Sequence, residues 1–324
     1  MKKTLIALAA LASISAFAQT AAPAVTVYGL IDMSYGRNVA DAAAGTSANF
    51  HSGADDGSSQ GNSTTKVGLK GGLDVAPGVK ANFQLESNGI QSDGTVNNPF
   101  FARQAWAGFS GSMGEVRLGT QDSVVFQTLA GYDVNGAANA ASAQGNVGGL
   151  TVAPGRNSRT LQYISPVVSG FKAQLGYTPK GTANSTGTPT TVAADSTGST
   201  SYGLTYAAGP FSASIAGETK RVDSGNNFNA IAASYDLGVA KLMAGYADGG
   251  VNVNKGAVVG VTVPFAGFTF GLDYAKNTEN STNATELFVN REVFKNTTAY
   301  MDLGSVNVNG TVNNCYALGV IYAF

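Results

Sequence analysis

The chain has 324 residues with 19 basic and 20 acidic side chains, so its formal net charge is −1, and charged residues make up only 12 % of it. A nucleic-acid-binding protein normally carries a basic excess, so this balance disfavours that class. The single cysteine, Cys315, excludes an internal disulfide framework and a cysteine-rich zinc site, while the single histidine, His51, excludes a histidine-cluster metal site and disfavours a Ser/His/Asp triad.

The first residues have the layout of a secretory signal peptide. Lys2 and Lys3 form a basic start, a mostly apolar stretch follows, and Ala16-Phe17-Ala18 is an A-x-A cleavage site. We therefore expect residues 1–18 to be removed and residues 19–324 to form one mature domain. No later stretch approaches the roughly 18 to 20 apolar residues of a spanning helix, which leaves a soluble protein or a β-barrel.

Beyond the leader, apolar and polar residues alternate with a period of two. Phe171, Ala173, Leu175 and Tyr177, for example, alternate with polar residues and glycine. Such alternation predicts strands with one apolar and one polar face. In chain order the predicted strands are 25–38, 64–73, 79–87, 101–110, 115–121, 158–165, 170–179, 199–207, 211–220, 227–236, 239–247, 255–264, 268–277, 282–289, 295–306 and 313–324.

The connections between these strands alternate in length. Short turns such as Gly111–Gly114 and Phe265–Gly267 alternate with long segments rich in Gly, Ser, Asn and Thr, such as 39–62 and 122–157. Short turns on one side, long loops on the other and an even number of strands are typical of outer-membrane barrels. The sequence therefore predicts an all-β fold, a sixteen-stranded antiparallel transmembrane β-barrel.

The polar strand faces carry many charges, which indicates a water-filled lumen, since sixteen strands are too many for side chains to fill the interior. Cys315 is predicted on the lumen side of the last strand, His51 in a loop, and Trp106 on the outer face. The predicted lumen charges are Lys66, Lys70, Lys80, Glu86, Arg103, Arg117, Lys172, Glu218 and Lys220.

Several segments in the same order resemble the general-diffusion porins of Gram-negative outer membranes, in particular those of β-proteobacteria. This resemblance implies a homotrimer of sixteen-stranded barrels in the outer membrane, in which the third external loop folds into the pore opposite a ladder of basic residues. It also implies that the closing strand ends in the signal for the barrel-assembly machinery. The segments are Val25–Asp32, Lys66–Gly72, Arg103–Phe109, Gly114–Gly119, Arg156 with Tyr163–Phe171, and the final strand with Tyr322 and Phe324.

The resemblance assigns Lys66, Arg103 and Arg156 to the basic ladder, and alternation is expected to place all three on the inner face. Arg117 shares the inward parity and is added as a weaker candidate. The family often has a further basic residue after the Tyr-Gly of the first strand, where this chain has Leu30.

The predicted constriction loop, about 122–157, is too long for a passive connection. Its acidic residues are Asp122 at its root and Asp133 within it. Net charge at the narrowest point is therefore expected to be positive.

These features predict a channel in the outer membrane for passive diffusion of small hydrophilic solutes and ions, with a mild anion preference. It would need no metal or cofactor, and its partners would be further copies of itself, outer-membrane lipids and the assembly machinery, not nucleic acid. One alternative is a substrate-specific channel with an aromatic slide, for which Tyr28 and Tyr300 are the aromatics that depart from the outward pattern. An outer-membrane enzyme is disfavoured by the single His51, and an adhesin would lack the terminal Phe324 signature.

Overall fold

The computed structural model describes residues 24–55, 60–136, 139–147, 155–180, 198–220, 225–249 and 255–324, so the predicted leader lies outside the described residues. Within these ranges seventeen strands form a single antiparallel sheet. Their bounds are β1 Ala24–Arg37, β2 Asn49–Ser52, β3 Lys66–Ala76, β4 Val79–Glu86, β5 Gln104–Gly111, β6 Gly114–Asp122, β7 Arg156–Ile164, β8 Phe171–Thr178, β9 Ser199–Ala208, β10 Phe211–Glu218, β11 Phe228–Asp236, β12 Lys241–Asp248, β13 Lys255–Phe265, β14 Phe268–Asn277, β15 Thr282–Phe294, β16 Thr297–Val308 and β17 Thr311–Ala323.

The sheet closes on itself through its first strand. One end of β1 pairs with β3 and the other end with β17, so that Leu30 lies opposite both Lys66 and Ala323. The four-residue β2 lies in the first long loop and pairs with β1 beyond the end of β3. The other sixteen strands form the closed barrel, which confirms the predicted all-β, sixteen-stranded antiparallel fold.

The two faces of the sheet differ sharply in polarity. Outward-facing Val27, Leu118 and Leu318 are each about 60 % exposed, whereas inward-facing Gln162 and Glu286 are fully buried. An extended apolar surface of this kind is rare on a soluble monomer and suits a hydrocarbon environment.

Tight turns join the strands on the short side of the barrel and at the last hairpin. Ala266 and Gly267 both have positive φ, of 51° and 79°, and so do Asn309 and Gly310, of 51° and 92°. Two successive positive φ angles are the signature of the type I′ turn, whose twist matches that of the flanking strands and which glycine and asparagine accept most readily. These residue choices fix the strand register at each hairpin.

The described connections contain four short helical elements: α1 Val39–Ala44, α2 Val124–Leu129, a 3₁₀-helix Ala130–Tyr132 and α3 Ala143–Val147. The hydroxyl of Ser123 caps α2 by accepting a hydrogen bond from the Phe126 amide at 3.0 Å. Among the described residues, no helix has the length and apolar character needed to cross a membrane.

The segment between β6 and β7 packs against an apolar seam on β10–β16. Small side chains dominate the seam, so the helices of the segment approach these strands closely and bury their own apolar residues. From the segment the seam includes Val125, Leu129, Tyr132, Ala143 and Val147, and from the strands Ala216, Phe228, Ala230, Ala232, Ala247, Val258, Ala275, Ala284 and Val306.

The outward placement of Trp106 predicted from the sequence is wrong. Trp106 is 8 % exposed and donates from Nε1 to the Gln104 side chain at 3.0 Å, whereas Phe109 on the opposite face is 57 % exposed. Counting the alternation back from Phe109 places Trp106 on the inner face. Two predicted lumen charges also lie outside strands, Arg103 just before β5 and Lys220 beyond the end of β10.

Candidate functional site

Glu86 holds two of the predicted ladder residues together. It ends β4, while Lys66 begins the neighbouring β3 and Arg103 immediately precedes β5. Arg103 Nε donates to Glu86 Oε1 at 2.7 Å, and Lys66 Nζ lies 3.4 Å from the same oxygen. The Tyr28 hydroxyl donates to the other carboxylate oxygen at 2.8 Å. The carboxylate thus fixes the positions of both cations.

Arg103 reaches this position by a bend rather than by strand alternation. In β5 the odd-numbered Ala107 and Phe109 face outward, and continuing that count would place Arg103 outward as well. Because Arg103 precedes the strand, its guanidinium turns back to Glu86 and donates to Thr64 Oγ1 at 3.2 Å. The inward position predicted for Arg103 is thus due to this bend, whereas the strand alternation used to predict it gives the outer face.

Arg156 forms a second ion pair next to the first group. It lies opposite Asp122 in the β6–β7 register, with 3.4 Å between Arg156 Nε and Asp122 Oδ1. A β-bulge interrupts the register here, and Arg159 has a φ of 54°, so strand alternation cannot be counted through this point. Arg103 is close enough to Arg156 for their charges to repel.

We call Lys66, Glu86, Arg103, Asp122 and Arg156 the charged cluster. Three cations and two carboxylates leave it one formal positive charge. Each carboxylate forms an ion pair with at least one cation, and all five side chains are at most about a third exposed. Leu30, the position where a further basic residue is often found in the family, lies opposite Lys66 on β1.

Arg117 is placed apart from the charged cluster. Arg117 pairs with Glu115 at 2.7 Å, and its guanidinium lies 4.2 Å from the centre of the Trp106 ring. No described contact joins it to Lys66, Arg103 or Arg156. Trp106, which was predicted on the outer face, is thus an inward-facing residue covered by an arginine.

Asp133 does not stand opposite the charged cluster as a solvated charge. It is 7 % exposed and accepts a hydrogen bond from the Asn135 amide at 3.1 Å. Burial raises the pKa of Asp133 to about 6, because desolvation disfavours the ionised carboxylate more than the hydrogen bonds favour it. Its negative charge is therefore only partly present near pH 6.

Three further buried carboxylates, Asp273, Glu286 and Asp302, lie against the β6–β7 segment, and with Asp133 we call them the acid cluster. The Asn135 amide group donates to Glu286 Oε1 at 2.8 Å and to Asp302 Oδ1 at 3.1 Å, and the backbone N–H of Ala143 donates to Glu286 Oε2 at 3.0 Å. Among the described residues, none of the four carboxylates has a Lys or Arg within ion-pair distance. These residues anchor the segment to β15 and β16, and the sequence reading did not identify them, although they share the lumen parity of successive strands.

The first external loop is tied to the same region. Asp32 accepts hydrogen bonds from the backbone amides of Asn62 and Ser63, at 2.7 and 2.6 Å, and from the Tyr300 hydroxyl at 2.6 Å. The Asn62 side chain in turn donates to Asn135 at 3.1 Å. Tyr300 is buried by these contacts and presents no open ring to a solute.

The remaining candidates are placed as follows. Tyr322 and Phe324 face outward, about half exposed, and the Phe324 backbone exchanges two 3.0 Å hydrogen bonds with Gly29. Cys315 is a buried free thiol. His51 lies in β2, within the first long loop, with Nδ1 3.6 Å from Asp55 Oδ2. In the described part of the chain, no three His, Cys, Asp or Glu side chains are arranged to hold a metal ion.

Comparison with known proteins gives consistent matches along the chain. The family model for Gram-negative porins matches residues 4–311. Outer membrane porin protein 32 of Delftia acidovorans is 33 % identical over 261 residues, covering 75 % of this chain and 68 % of that protein. An outer membrane porin protein of Bordetella pertussis is 31 % identical over 303 residues, covering 84 % of this chain and 76 % of that protein.

Among solved structures, the anion-selective porin from Comamonas acidovorans shares the fold, with a TM-score of 0.73 and 23 % identity over 94 % of this chain and 100 % of that one. The closed barrel, its apolar outer face and its charged lumen agree with these matches. The chain therefore belongs to the Gram-negative porin family, whose members are channels of the outer membrane.

Proposed function

We propose that the protein is a general-diffusion channel for small hydrophilic solutes and ions. Its narrowest part lies between the charged cluster and the β6–β7 segment, which runs along the inner wall from α2, against β8–β10, to α3 and the acid cluster, against β14–β16. The observation that carries this proposal is the charged cluster itself, because five ionisable side chains on three neighbouring hairpins form a polar wall for a water-filled passage. Solutes permeate such a passage by diffusion, and the charges on its wall influence which ions pass; no covalent bond is formed or broken.

The charge balance supports a mild anion preference. The charged cluster carries one net positive charge, whereas the carboxylates of the acid cluster are buried away from the passage. Charges near a narrow pore are poorly screened at low salt, since low-dielectric walls focus their field. The Comamonas acidovorans protein, described as anion-selective, supports the fold of the proposal, and the preference itself rests on the charges of this chain.

A substrate-specific channel with an aromatic slide is less well supported. Tyr300 is buried, the Lys70 ammonium lies over the Tyr28 ring at 5.1 Å from its centre, and the inward Trp106 lies under Arg117. Stacking against a solute requires an open ring face, which these contacts take up.

Selectivity can be tested by the zero-current potential of single channels in a tenfold potassium chloride gradient. We expect wild-type channels to favour chloride, and the double variant Arg103→Gln/Arg156→Gln to shift the potential toward cations because the cluster becomes net negative. Arg159→Gln is the matched control, since Arg159 lies on β7 with an exposed side chain outside the cluster. A clear cation preference of the wild type would contradict the proposal.

We also propose that the functional unit is a homotrimer. The continuous apolar outer face supports contacts with further copies as well as with lipid. An unheated sample that migrates in gel electrophoresis at about three times the heated mass would support three subunits, and migration at the monomer position would contradict them.

A further inference from the structure

The outer face of β14–β17 contains a groove near the short-turn end of the barrel. The groove has a volume of about 420 Å³ and a mostly apolar lining. Its side-chain walls are formed by outward-facing residues of four successive strands. These are Phe268, Val289, Arg291, Ala299, Met301 and Leu318.

The strand register explains why a depression forms at this place. Ala299 lies opposite Arg291 on one side and Val320 on the other, so a single methyl group stands between two larger side chains. In the next row Met301 lies between Val289 and Leu318, which gives the groove an apolar continuation toward the middle of the barrel wall. The groove therefore runs from a cationic end over a shallow floor into apolar surface.

Arg291 supplies the cationic end. Its guanidinium lies 4.8 Å from the centre of the Phe268 ring, which holds it beside the groove. Glu292 also lines the groove, but its carboxylate accepts a hydrogen bond from the Asn296 backbone at 3.0 Å, and among the described residues no carboxylate lies within ion-pair distance of Arg291. An exposed arginine on the outer wall is costly at the bilayer centre and tolerated close to the headgroups.

The depth of Arg291 fits the headgroup layer. β15 ends at Phe294, three residues after Arg291, and a short turn leads into β16. Three strand residues span about 10 Å, and short turns of outer-membrane barrels lie on the periplasmic side. Arg291 is thus close to the phosphates of the periplasmic leaflet.

We propose that this groove binds one glycerophospholipid of the periplasmic leaflet. The lipid phosphate pairs with the guanidinium of Arg291, and one acyl chain lies over Ala299 toward Met301 and Leu318. Arg291 forms no ion pair with a described carboxylate, so its charge is complementary to a lipid phosphate, which arginine binds in a bidentate, charge-assisted geometry. This complementarity favours a phospholipid over a purely apolar occupant. A second copy of the chain is the competing occupant.

Native mass spectrometry of delipidated protein titrated with palmitoyl-oleoyl phosphatidylglycerol tests the proposal. We expect Arg291→Gln to weaken binding of the tightest lipid about tenfold, the scale of one charge-assisted contact. Lys276→Gln is the matched control. Lys276, like Arg291, faces outward, but it lies on β14 at the long-loop end of the barrel, away from the groove. It should bind the lipid like the wild type.

The shape of the groove is tested separately. Ala299→Leu fills the floor and should also lower lipid retention, whereas Ala257→Leu, on the outer face of β13 near Lys276, should not. Each variant is first checked for barrel assembly by heat-modifiable mobility and single-channel conductance. Unchanged lipid binding by Arg291→Gln would overturn the proposal. So would a loss of oligomer stability in Arg291→Gln and Ala299→Leu without any change in lipid binding, which would assign the groove to a neighbouring subunit.

Discussion

At the scale of single residues, the charged cluster depends on its carboxylates as much as on its cations. Glu86 accepts from Arg103 and pairs with Lys66 through one oxygen, while the other is held by Tyr28. A carboxylate with three partners is a fixed part of the wall rather than a mobile counter-ion. Selectivity is therefore a small difference between nearly balanced charges, and single substitutions should change it measurably.

We predict that Glu86→Gln increases anion preference. The substitution raises the formal charge of the cluster from one to two positive charges and leaves a side chain of the same size that can still accept from Tyr28. The zero-current potential in a chloride gradient should move further toward chloride, and the shift should shrink at high salt as the screening length falls from about 30 Å at 0.01 M to about 3 Å at 1 M. Glu115→Gln removes the carboxylate that pairs with Arg117 and should give a smaller shift of the zero-current potential. A larger shift than that of Glu86→Gln would place the charges that determine selectivity at Arg117 instead.

We predict that Asp133 makes the folded barrel less stable as the pH rises from about 4 to about 6. The folded-state pKa of about 6 lies above the ordinary value of 3.8, so the folded protein holds this proton more tightly and loses stability when it is released. Asp133→Asn should remove this contribution, which amounts to about 3 kcal/mol at most. The gain in unfolding temperature over the wild type should be larger at pH 7.5 than at pH 4.5; an equal gain at both would show that Asp133 is not the titrating group.

At the scale of elements, the strands were predictable because the same physical contrast acts along the whole chain. Water on one side and an apolar environment on the other impose a period of two, and the predicted strand 170–179 corresponds to Phe171–Thr178. The prediction failed where alternation is interrupted. Counting alternate residues gives the wrong face for Arg103, because Arg103 precedes β5. The count also cannot be continued across the β-bulge near Arg159.

The contacts of the β6–β7 segment could not be read from local pattern. The acid cluster joins Asp133 to residues more than a hundred positions further along the chain. The strand residues of the seam are mostly alanines, which do not stand out in any single strand. The sequence does place small residues on the lumen-facing positions of consecutive strands, which indicates that a segment packs against them. Which segment fills that space depends on long-range packing that one sequence does not reveal.

We predict that deletion of Phe324 lowers the amount of assembled barrel in the outer membrane and leaves secretion unchanged. The Phe324 backbone closes the last hydrogen bonds to Gly29, and its ring covers the place where Gly29 has no side chain, since a Cβ there would lie 2.6 Å from Phe324 Cζ. Heat-modifiable protein in membrane fractions measures assembly. Tyr316→Ala, in the middle of β17, is the control that should assemble normally. Full assembly without Phe324 would show that Phe324 is not needed to close the barrel.

At the scale of the whole molecule, the pairing of β1 with β17 joins the two sequence-distant ends of the described chain, as in the contact of Met33 with Val320. Contacts of such high sequence separation form late, because the entropy of closing the largest loop must be overcome first. Until then the incomplete sheet carries two open edges, each able to hydrogen-bond to another chain. The final pairing removes both edges in one event, so the hazard of aggregation in this protein is concentrated in the time before closure.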